Sequence, residues 1–301
     1  MSVRLNAQST QEKYSELLDK YDTWLFDCDG VLWHGDRLID GVVEVLETLR
    51  KRGKHILFVT NNATKSRKNY KKKFDKLGIQ AEVDEVFGSA YASAVYLSSV
   101  LKLPKGKKVY VIGMDGLEEE LRDEGIDFIG GTDPADNTFE PPSEILPDFS
   151  VGAVVIGLDM SINYTKMCKA FRYLHSNPDC AFIATNKDST YPGSHGLLPG
   201  AGSCIAPLEY ALGPKRTALP IGKPSKTMLD CIMAKHHFDP KRTIMVGDRL
   251  NTDIEFGKAG GLSTLLVLSG ITSEDELTGP NPSPTVPDYV TDSLGDLRAA
   301  S

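Results

Sequence analysis

The segment that most constrains the fold of this chain is residues 24–33, with the sequence WLFDCDGVLW. Thr23 and the first three residues of this segment form a mostly apolar stretch, Thr23–Phe26, which predicts a short buried strand that ends at Asp27. While the backbone stays extended, Asp27 and Asp29 point to the same side, and Gly30 then allows a sharp turn. At a separation of about 4 Å and an effective dielectric constant of about 20, the two carboxylates would repel each other by roughly 4 kcal/mol. A cation is therefore expected between them, and magnesium, which prefers oxygen ligands, is the natural candidate.

The rest of the chain alternates apolar strands with amphipathic helices. This pattern is typical of an α/β fold with a mostly parallel sheet and helices on both faces. Further strands are predicted at 55–60, 109–114, 153–158, 181–186, 243–248 and 263–268, and helices at 9–20, 41–52, 117–124, 164–175, 201–212, 226–236 and 252–259. In open sheets of this kind, ligands bind at the carboxyl ends of the strands, which is where Asp27 and Asp29 stand.

Composition limits the classes of function. A chain of 301 residues with 41% hydrophobic residues is long enough for two domains, and a net charge of −7 argues against a general binder of nucleic acid or of anionic membranes. No apolar run reaches membrane-spanning length, and residues 1–20 lack the apolar centre of a signal peptide. The five scattered cysteines predict reduced thiols in a cytoplasmic protein. For Cys28 a small buried side chain is favoured over a redox switch.

Three more chemical signals stand at the ends of predicted strands. Thr60, Asn61 and Asn62 offer a hydroxyl group and successive backbone N–H groups at a predicted helix start, which is typical of an anion site. Lys223 is a single cation on a turn between Gly222 and Pro224. Asp248 ends the strand predicted at 243–248, and Asp253 stands five residues further on, in the first turn of the next predicted helix. Together with Asp27 and Asp29 they predict a phosphate site that contains a metal ion, a cation and a nucleophile.

A lysine- and arginine-rich run at residues 65–73 covers much of the helix that follows Thr64. A nucleic-acid patch is one interpretation of such a run. A helix face that is exposed to water is the favoured interpretation.

These motifs, Asp27-x-Asp29-Gly30, Thr60-Asn61-Asn62, Lys223 and Gly247-Asp248-Arg249 with Asp253, resemble the four motifs of the haloacid dehalogenase superfamily of phosphohydrolases. Within it, the chain resembles the 4-nitrophenylphosphatase/phosphoglycolate phosphatase branch, which includes the pyridoxal phosphate phosphatases. The resemblance covers residues 21–297. It implies a Rossmann-like parallel-sheet core with an inserted α/β cap domain. The implied division is 1–87 for the first part of the core, 88–212 for the cap and 213–301 for the second part of the core.

The resemblance also implies roles for the motif residues. Asp27 matches the nucleophile that becomes an aspartyl phosphate, and Asp29 matches the acid and base that protonates the leaving oxygen and then activates water. Magnesium is implied on Asp27, on the backbone carbonyl of Asp29 and on Asp248, with Asp253 just behind these ligands. The implied phosphoryl-binding residues are Thr60, Asn61, Asn62 and Lys223.

The cap loop 185–192 resembles the loop that reaches over the active site in this branch. Tyr191 stands where pyridoxal phosphatases have a histidine, so Tyr191 is a candidate substrate contact, and pyridoxal phosphate is in doubt as the main substrate. A half-buried loop tyrosine is an equal alternative. Trp33, just after the aspartate pair, is predicted to line the mouth of the site, with simple packing as the alternative.

The leading hypothesis is a magnesium-dependent cytoplasmic phosphatase of small phosphomonoesters such as 2-phosphoglycolate, and of 4-nitrophenyl phosphate in vitro. A phosphotransferase or mutase, a phosphoprotein phosphatase and a non-catalytic phospholigand sensor stay open, whereas a dehalogenase is disfavoured because Asp29 would have no leaving oxygen to protonate. The expected partner is a small phosphate ester, with no nucleic acid and no membrane. Homodimers through the cap are common in the branch, and the sequence itself gives no oligomeric state.

Overall fold

The structure is a computed structural model that describes residues 2–5, 11–138, 144–193 and 196–300. In these residues the strands, in chain order, are β1 (Val3–Arg4), β2 (Thr23–Phe26), β3 (Trp33–His34), β4 (Arg37–Leu38), β5 (His55–Thr60), β6 (Val86–Gly88), β7 (Lys108–Ile112), β8 (Phe128–Gly130), β9 (Val151–Ile156), β10 (Ala181–Ala184), β11 (Thr190–Gly193), β12 (Gly196–Pro199), β13 (Leu219–Pro220), β14 (Thr243–Gly247), β15 (Ser263–Val267) and β16 (Tyr289–Thr291).

Helices alternate with single strands or with short runs of strands along the chain. They are α1 (Gln11–Lys20), α2 (Val42–Lys51), α3 (Arg67–Lys76), α4 (Ser89–Val95), α5 (Asp115–Asp123), α6 (Tyr164–Ser176), α7 (Ala201–Leu212), α8 (Lys226–Lys235), α9 (Glu255–Ala259) and α10 (Glu274–Thr278). A π-helical turn, Tyr96–Val100, extends α4, and another, Leu250–Ile254, precedes α9. No helix in the described ranges combines the length and the apolar character that a membrane span needs.

Two compact units make up the chain. The first, called unit 1, contains Met1–Thr60, Lys71–Phe87 and Lys223–Ser301, and the second, called unit 2, contains Asn61–Tyr70 and Gly88–Gly222. The domain boundaries at residues 87 and 212 stay predictions of the sequence.

Unit 1 is built on a sheet with the strand order β1-β16-β15-β14-β2-β5-β6. Strand β2 pairs in parallel with β14 on one side and with β5 on the other, so that Phe26 lies beside both Val246 and Phe58. All four residues of β2 are buried, because strands with neighbours on both edges and helices on both faces meet no water. The carboxyl ends of β2, β5 and β14 therefore lie side by side at one edge of the sheet.

Unit 2 has a parallel sheet of its own, with the order β13-β10-β9-β7-β8. Its apolar core includes Tyr110, Val154 and Ile156 of the strands, together with Leu174 of α6 and Ile205 of α7. Strands β11 and β12 form a separate antiparallel pair, in which Tyr191 lies opposite Leu198.

The predicted α/β fold with mostly parallel sheets is confirmed. The long apolar strands lie where the sequence predicts them, although most end one or two residues earlier: β7 ends at Ile112 and β9 at Ile156. The sequence analysis missed short strands such as β3, β4, β6 and β8, because two or three residues are too few for a hydrophobic period.

Candidate active site

Asp27 stands directly after β2, where its backbone N–H still bonds the carbonyl of Val246 on β14 at 2.9 Å. This bond continues the parallel pairing by one residue and fixes the Asp27 backbone at the carboxyl edge of the sheet. The side chain is 13% exposed, and its Oδ1 atom accepts a hydrogen bond from Lys223 Nζ at 2.7 Å.

Lys223 is the cation of the predicted site, and its side chain is only 2% exposed. Its Nζ atom lies 2.7 Å from Asp27 Oδ1, 2.7 Å from Asp253 Oδ1 and 2.7 Å from the carbonyl oxygen of Val59. An ammonium group has three N–H donors, so these three acceptors match its full donor set. Lys223 therefore joins the ends of β2 and β5 to the segment that follows β14.

Asp248 and Asp253 stand on that segment. Asp248 Oδ2 accepts the backbone N–H of Ile271 at 2.7 Å, and Asp253 Oδ2 accepts the backbone N–H groups of Asp248 and Arg249 at 3.2 and 3.1 Å. Asp253 thereby holds the loop that carries Asp248 in place. One oxygen atom each of Asp27, Asp248 and Asp253 lies within 4.8 Å of the others, a spacing that suits a single metal ion.

Two glycines make room for the Asp248 carboxylate. Gly30 has φ +86°, as the predicted sharp turn requires, and a Cβ there would lie 2.5 Å from Asp248 Oδ2. A Cβ on Gly270 would overlap the same carboxylate. The sequence analysis did not find Gly270, because no local pattern connects it to Asp248.

The cluster contains more acidic side chains than basic ones, with three aspartates and one lysine. Burial raises the pKa of Asp27 well above its usual range. Lys223 partly lowers that pKa, whereas the negative charges of Asp253 and Asp248 raise it further. Burial and the neighbouring Asp253 raise the pKa of Asp248 to about 7. Burial alone would lower the pKa of Lys223, but Asp253 and Asp27 outweigh it and raise that pKa. Three acids around one lysine leave negative charge that a cation would offset.

Asp29 lies in a different environment from Asp27. Its side chain is 30% exposed, and its Oδ1 atom accepts the indole N–H of Trp33 at 2.8 Å. Lys73 Nζ lies 4.0 Å from the same oxygen and 4.0 Å from the centre of the Trp33 ring. Trp33 is fully buried, so the prediction that it lines the mouth of the site is wrong; the ring packs inside unit 1 while its N–H reaches Asp29.

The basic run at 65–73 is also less uniform than predicted. Lys68 is well exposed, but the side chain of Lys73 is only 12% exposed and that of Arg67 16%. Arg67 is bonded to the buried Glu120 in unit 2, with Nε and Oε2 2.9 Å apart. The prediction of an exposed helix face is therefore wrong for these two residues, because acids far away in the sequence lie next to them.

Thr60 is the last residue of β5 and is buried. The predicted helix start at Asn61 and Asn62 is wrong, since α3 begins at Arg67. Within unit 2, Asn61 Nδ2 donates to Asp188 at 3.1 Å, and Asn62 Oδ1 accepts the backbone N–H of Thr64 at 2.9 Å. Because Asn62 forms a local turn with Thr64, the helix begins only at Arg67.

Tyr191 stands on β11 in unit 2, half-buried, with its hydroxyl group 4.0 Å from the sulfur of Met160.

Cys28 is fully buried, and burial raises the pKa of its thiol well above the usual range. All five cysteines are free thiols.

Comparison with known proteins places the chain in a family. A family model described as haloacid dehalogenase-like hydrolase matches residues 24–127, and a second, described as HAD-like hydrolase, matches residues 220–297. The 4-nitrophenylphosphatase of Schizosaccharomyces pombe is 47% identical over 96% of this chain and 97% of its own length. Phosphoglycolate phosphatase 1A of Arabidopsis thaliana is 44% identical over 98% of this chain and 82% of its own length.

A solved structure shows the same fold. The glycerol phosphate phosphatase of Mycobacterium tuberculosis, in complex with magnesium, superposes with a TM-score of 0.77 at 30% identity, covering 93% of this chain and 77% of its own. Sequence and fold agree over nearly the whole chain. The chain belongs to the haloacid dehalogenase-like hydrolase family, in the branch of the 4-nitrophenylphosphatases and phosphoglycolate phosphatases.

Proposed function

We propose that this enzyme hydrolyses small phosphomonoesters with the help of magnesium, through an aspartyl phosphate on Asp27. It is a phosphatase of the haloacid dehalogenase type, as its relatives are. The observation that carries the finer proposal is the cluster of Asp27, Asp248 and Asp253, in which Asp27 and Asp253 both pair with the buried Lys223. A nucleophile, a cation and an acid excess at the carboxyl edge of one sheet suit phosphoryl transfer, which depends on positioning and on charge neutralisation.

The donor set of the cluster fits magnesium. Carboxylate and carbonyl oxygens are its preferred ligands, and burial together with neighbouring acids raises the pKa values of Asp27 and Asp248, so a bound cation would stabilise their ionised forms. We assign the ion to Asp27, Asp248 and the backbone carbonyl of Asp29. Asp253 is not assigned as a direct ligand of the ion, because its oxygens already bind Lys223 and two backbone N–H groups. When bound, magnesium supplies positive charge to the phosphoryl oxygens.

In the first chemical step, an Asp27 carboxylate oxygen attacks phosphorus while the ester P–O bond breaks. Lys223 holds Asp27 Oδ1 and neutralises part of the charge that develops on the phosphoryl oxygens. Asp29 gives its proton to the leaving oxygen, and the alcohol departs. In the second step, Asp29 takes a proton from water, the water oxygen attacks phosphorus, and the bond to Asp27 breaks to release phosphate.

The remaining assignments are proposals on the family pattern. Thr60, Asn61 and Asn62 bind the phosphoryl group, and Tyr191 contacts the leaving group, so that Tyr191→Ala changes the ranking of substrates. Two- and three-carbon phosphates such as 2-phosphoglycolate are the favoured substrates. Two similar proteins are named for such substrates, as a phosphoglycolate phosphatase and a glycerol phosphate phosphatase. We place the enzyme in the cytoplasm, where its five free thiols stay reduced. A homodimer through residues 88–212 is the proposed assembly.

The test is phosphate release from a panel of esters with magnesium and with excess chelator. Turnover is expected with magnesium, loss of turnover with chelator, and recovery when magnesium is restored. Asp27→Asn is expected to abolish turnover on every ester. Asp36→Asn is the matched control, because Asp36 is an exposed acid paired with Lys76. Full turnover in excess chelator, or in Asp27→Asn, would contradict the proposal.

A further inference from the structure

Asp29 lies at a tight turn, and two other side chains contact its carboxylate. The chain turns back on itself after Asp29, so that the Gly30 N–H bonds the Trp33 carbonyl at 2.8 Å and the Leu32 N–H bonds the Cys28 carbonyl at 2.8 Å. This tight turn brings the Trp33 side chain back to the aspartate that precedes it. Its indole N–H donates to Asp29 Oδ1 at 2.8 Å, a normal distance for a strong hydrogen bond to a carboxylate.

The Trp33 ring has little freedom to move. It is fully buried and lies edge-on to Phe74, with the ring centres 5.2 Å apart and the planes at 64°. Phe74 packs in turn on Phe58 of β5, with the ring centres 4.4 Å apart. A donor on such a ring is held in place by the core itself, so no side-chain freedom has to be lost when it bonds Asp29.

Lys73 completes the arrangement from α3. Its Nζ atom lies 4.0 Å from the Trp33 ring centre, within the range of a cation–π contact, and 4.0 Å from Asp29 Oδ1. Its side chain is 12% exposed, whereas Lys71 on the same helix is 28% exposed and pairs with Asp75. Lys73 is thus built into unit 1, and Lys71 lies at its surface.

Both groups engage the same oxygen of Asp29. A carboxylate that is 30% exposed would otherwise sample several rotamers, and a proton donor that is misplaced by about 1 Å can lose about 100-fold in rate. With Oδ1 fixed by Trp33 and Lys73, Oδ2 is the oxygen that can carry the transferred proton. We propose that Trp33 and Lys73 are positioning residues that hold Asp29 for proton transfer to the leaving oxygen. This inference rests on the proposed function, because it assumes that Asp29 is the acid.

The experiment compares esters that differ in their need for a proton. An alkoxide such as that of glycolate leaves slowly without protonation, whereas 4-nitrophenolate is stable on its own. In single-turnover measurements with magnesium, Trp33→Phe and Lys73→Met are expected to slow ester cleavage of 2-phosphoglycolate by about 10- to 100-fold. Cleavage of 4-nitrophenyl phosphate is expected to slow less than about threefold in the same variants. Lys71→Met is the matched control and should leave both rates unchanged.

A merely structural role would give a different result. Loss of fold or of magnesium binding slows cleavage of both esters equally. Equal slowing of both esters in Lys73→Met, or unchanged rates on both, would overturn the inference. In the Asp29→Asn background, Trp33→Phe and Lys73→Met should have no further effect on the first step, since their target is gone. Lys73→Met removes no core volume around the ring, so it carries the test even if Trp33→Phe unfolds. If the unmodified enzyme cleaves neither ester, the proposed function itself has failed, which is a distinct result.

Discussion

Lys223 and Asp253 form an ion pair in which Nζ and Oδ1 are 2.7 Å apart and both side chains are 2% exposed. The same Nζ atom reaches Asp27, while the other oxygen of Asp253 accepts the backbone N–H groups of Asp248 and Arg249. Asp253 therefore does two things at once: it anchors the cation that holds the nucleophile, and it fixes the loop that carries Asp248. The core of the site is one connected network, and single changes in it are expected to have large effects.

Lys223→Met should lower kcat on 4-nitrophenyl phosphate by about 100- to 1000-fold, because the removed charge faces developing charge in a buried site. Lys223 also lowers the pKa of Asp27, so its loss raises that pKa further and reduces the fraction of ionised nucleophile at neutral pH. Steady-state kinetics at saturating magnesium measure the effect. Lys71→Met, which removes a half-buried surface lysine paired with Asp75, should change kcat less than twofold. Similar losses in both variants would mean that Lys223 is not in the site.

Gly270→Ala should weaken magnesium binding and so raise the magnesium requirement, because its Cβ would overlap the Asp248 carboxylate and displace the hydrogen bond from the Ile271 N–H. Changes in the partners that orient a metal ligand typically cost about 10- to 100-fold in metal affinity or activity. The measurement is the magnesium concentration at half-maximal activity. Gly53→Ala is the control: its φ is +69°, so alanine is strained there, but its Cβ meets open space. An equal magnesium requirement in both variants would contradict the assignment of Asp248.

Arg67→Met should destabilise the protein by about 3 kcal/mol or more, because it removes the charged partner of the buried Glu120 and leaves only the residue-67 backbone N–H bonded to it. Arg67 also lies 3.3 Å from the centre of the Tyr91 ring, so stacking is lost as well. Lys68→Met removes an exposed pair with Asp123 and should cost at most about 1 kcal/mol. Urea unfolding of the two variants compares these values. A loss of stability for Arg67→Met no larger than that for Lys68→Met would contradict the importance of the Arg67–Glu120 pair.

The same pair predicts a pH dependence. Burial raises the pKa of Glu120 above the ordinary value of 4.5 even with Arg67 present. The folded protein therefore binds more protons than the unfolded chain just above pH 4.5, and the free energy of unfolding falls as pH rises through this window. In Arg67→Met the pKa rises further, so the difference in stability from the unmodified protein should be smaller at pH 5 than at pH 8. Unfolding midpoints at the two pH values check the sign, and an equal difference at both would exclude Glu120 as its source.

The polar residues at strand ends were predictable because the carboxyl ends of parallel strands share one edge. Asp27, Asp248 and Lys223 each follow or flank an apolar stretch, and the structure brings them together as that rule requires. The Asp29–Trp33 hydrogen bond depends instead on how the 29–33 turn folds back, which the composition of the turn does not reveal. Lys73 and Arg67 looked like members of one exposed run, because the acids that approach them come from distant parts of the sequence. Gly270 is likewise meaningful only next to Asp248.

The measurement that tests the division of labour between Asp27 and Asp29 most directly is rapid-mixing absorbance at the nitrophenolate band. Asp29→Asn keeps the nucleophile, and 4-nitrophenolate leaves without a proton, but water then lacks its base, so the aspartyl phosphate accumulates. We expect a burst of about one nitrophenolate per site followed by little turnover, and neither burst nor turnover with 2-phosphoglycolate. Asp27→Asn, whose amide is a poor nucleophile, should give no burst with either ester. A burst from Asp27→Asn, or equal losses on both esters for Asp29→Asn, would contradict these roles.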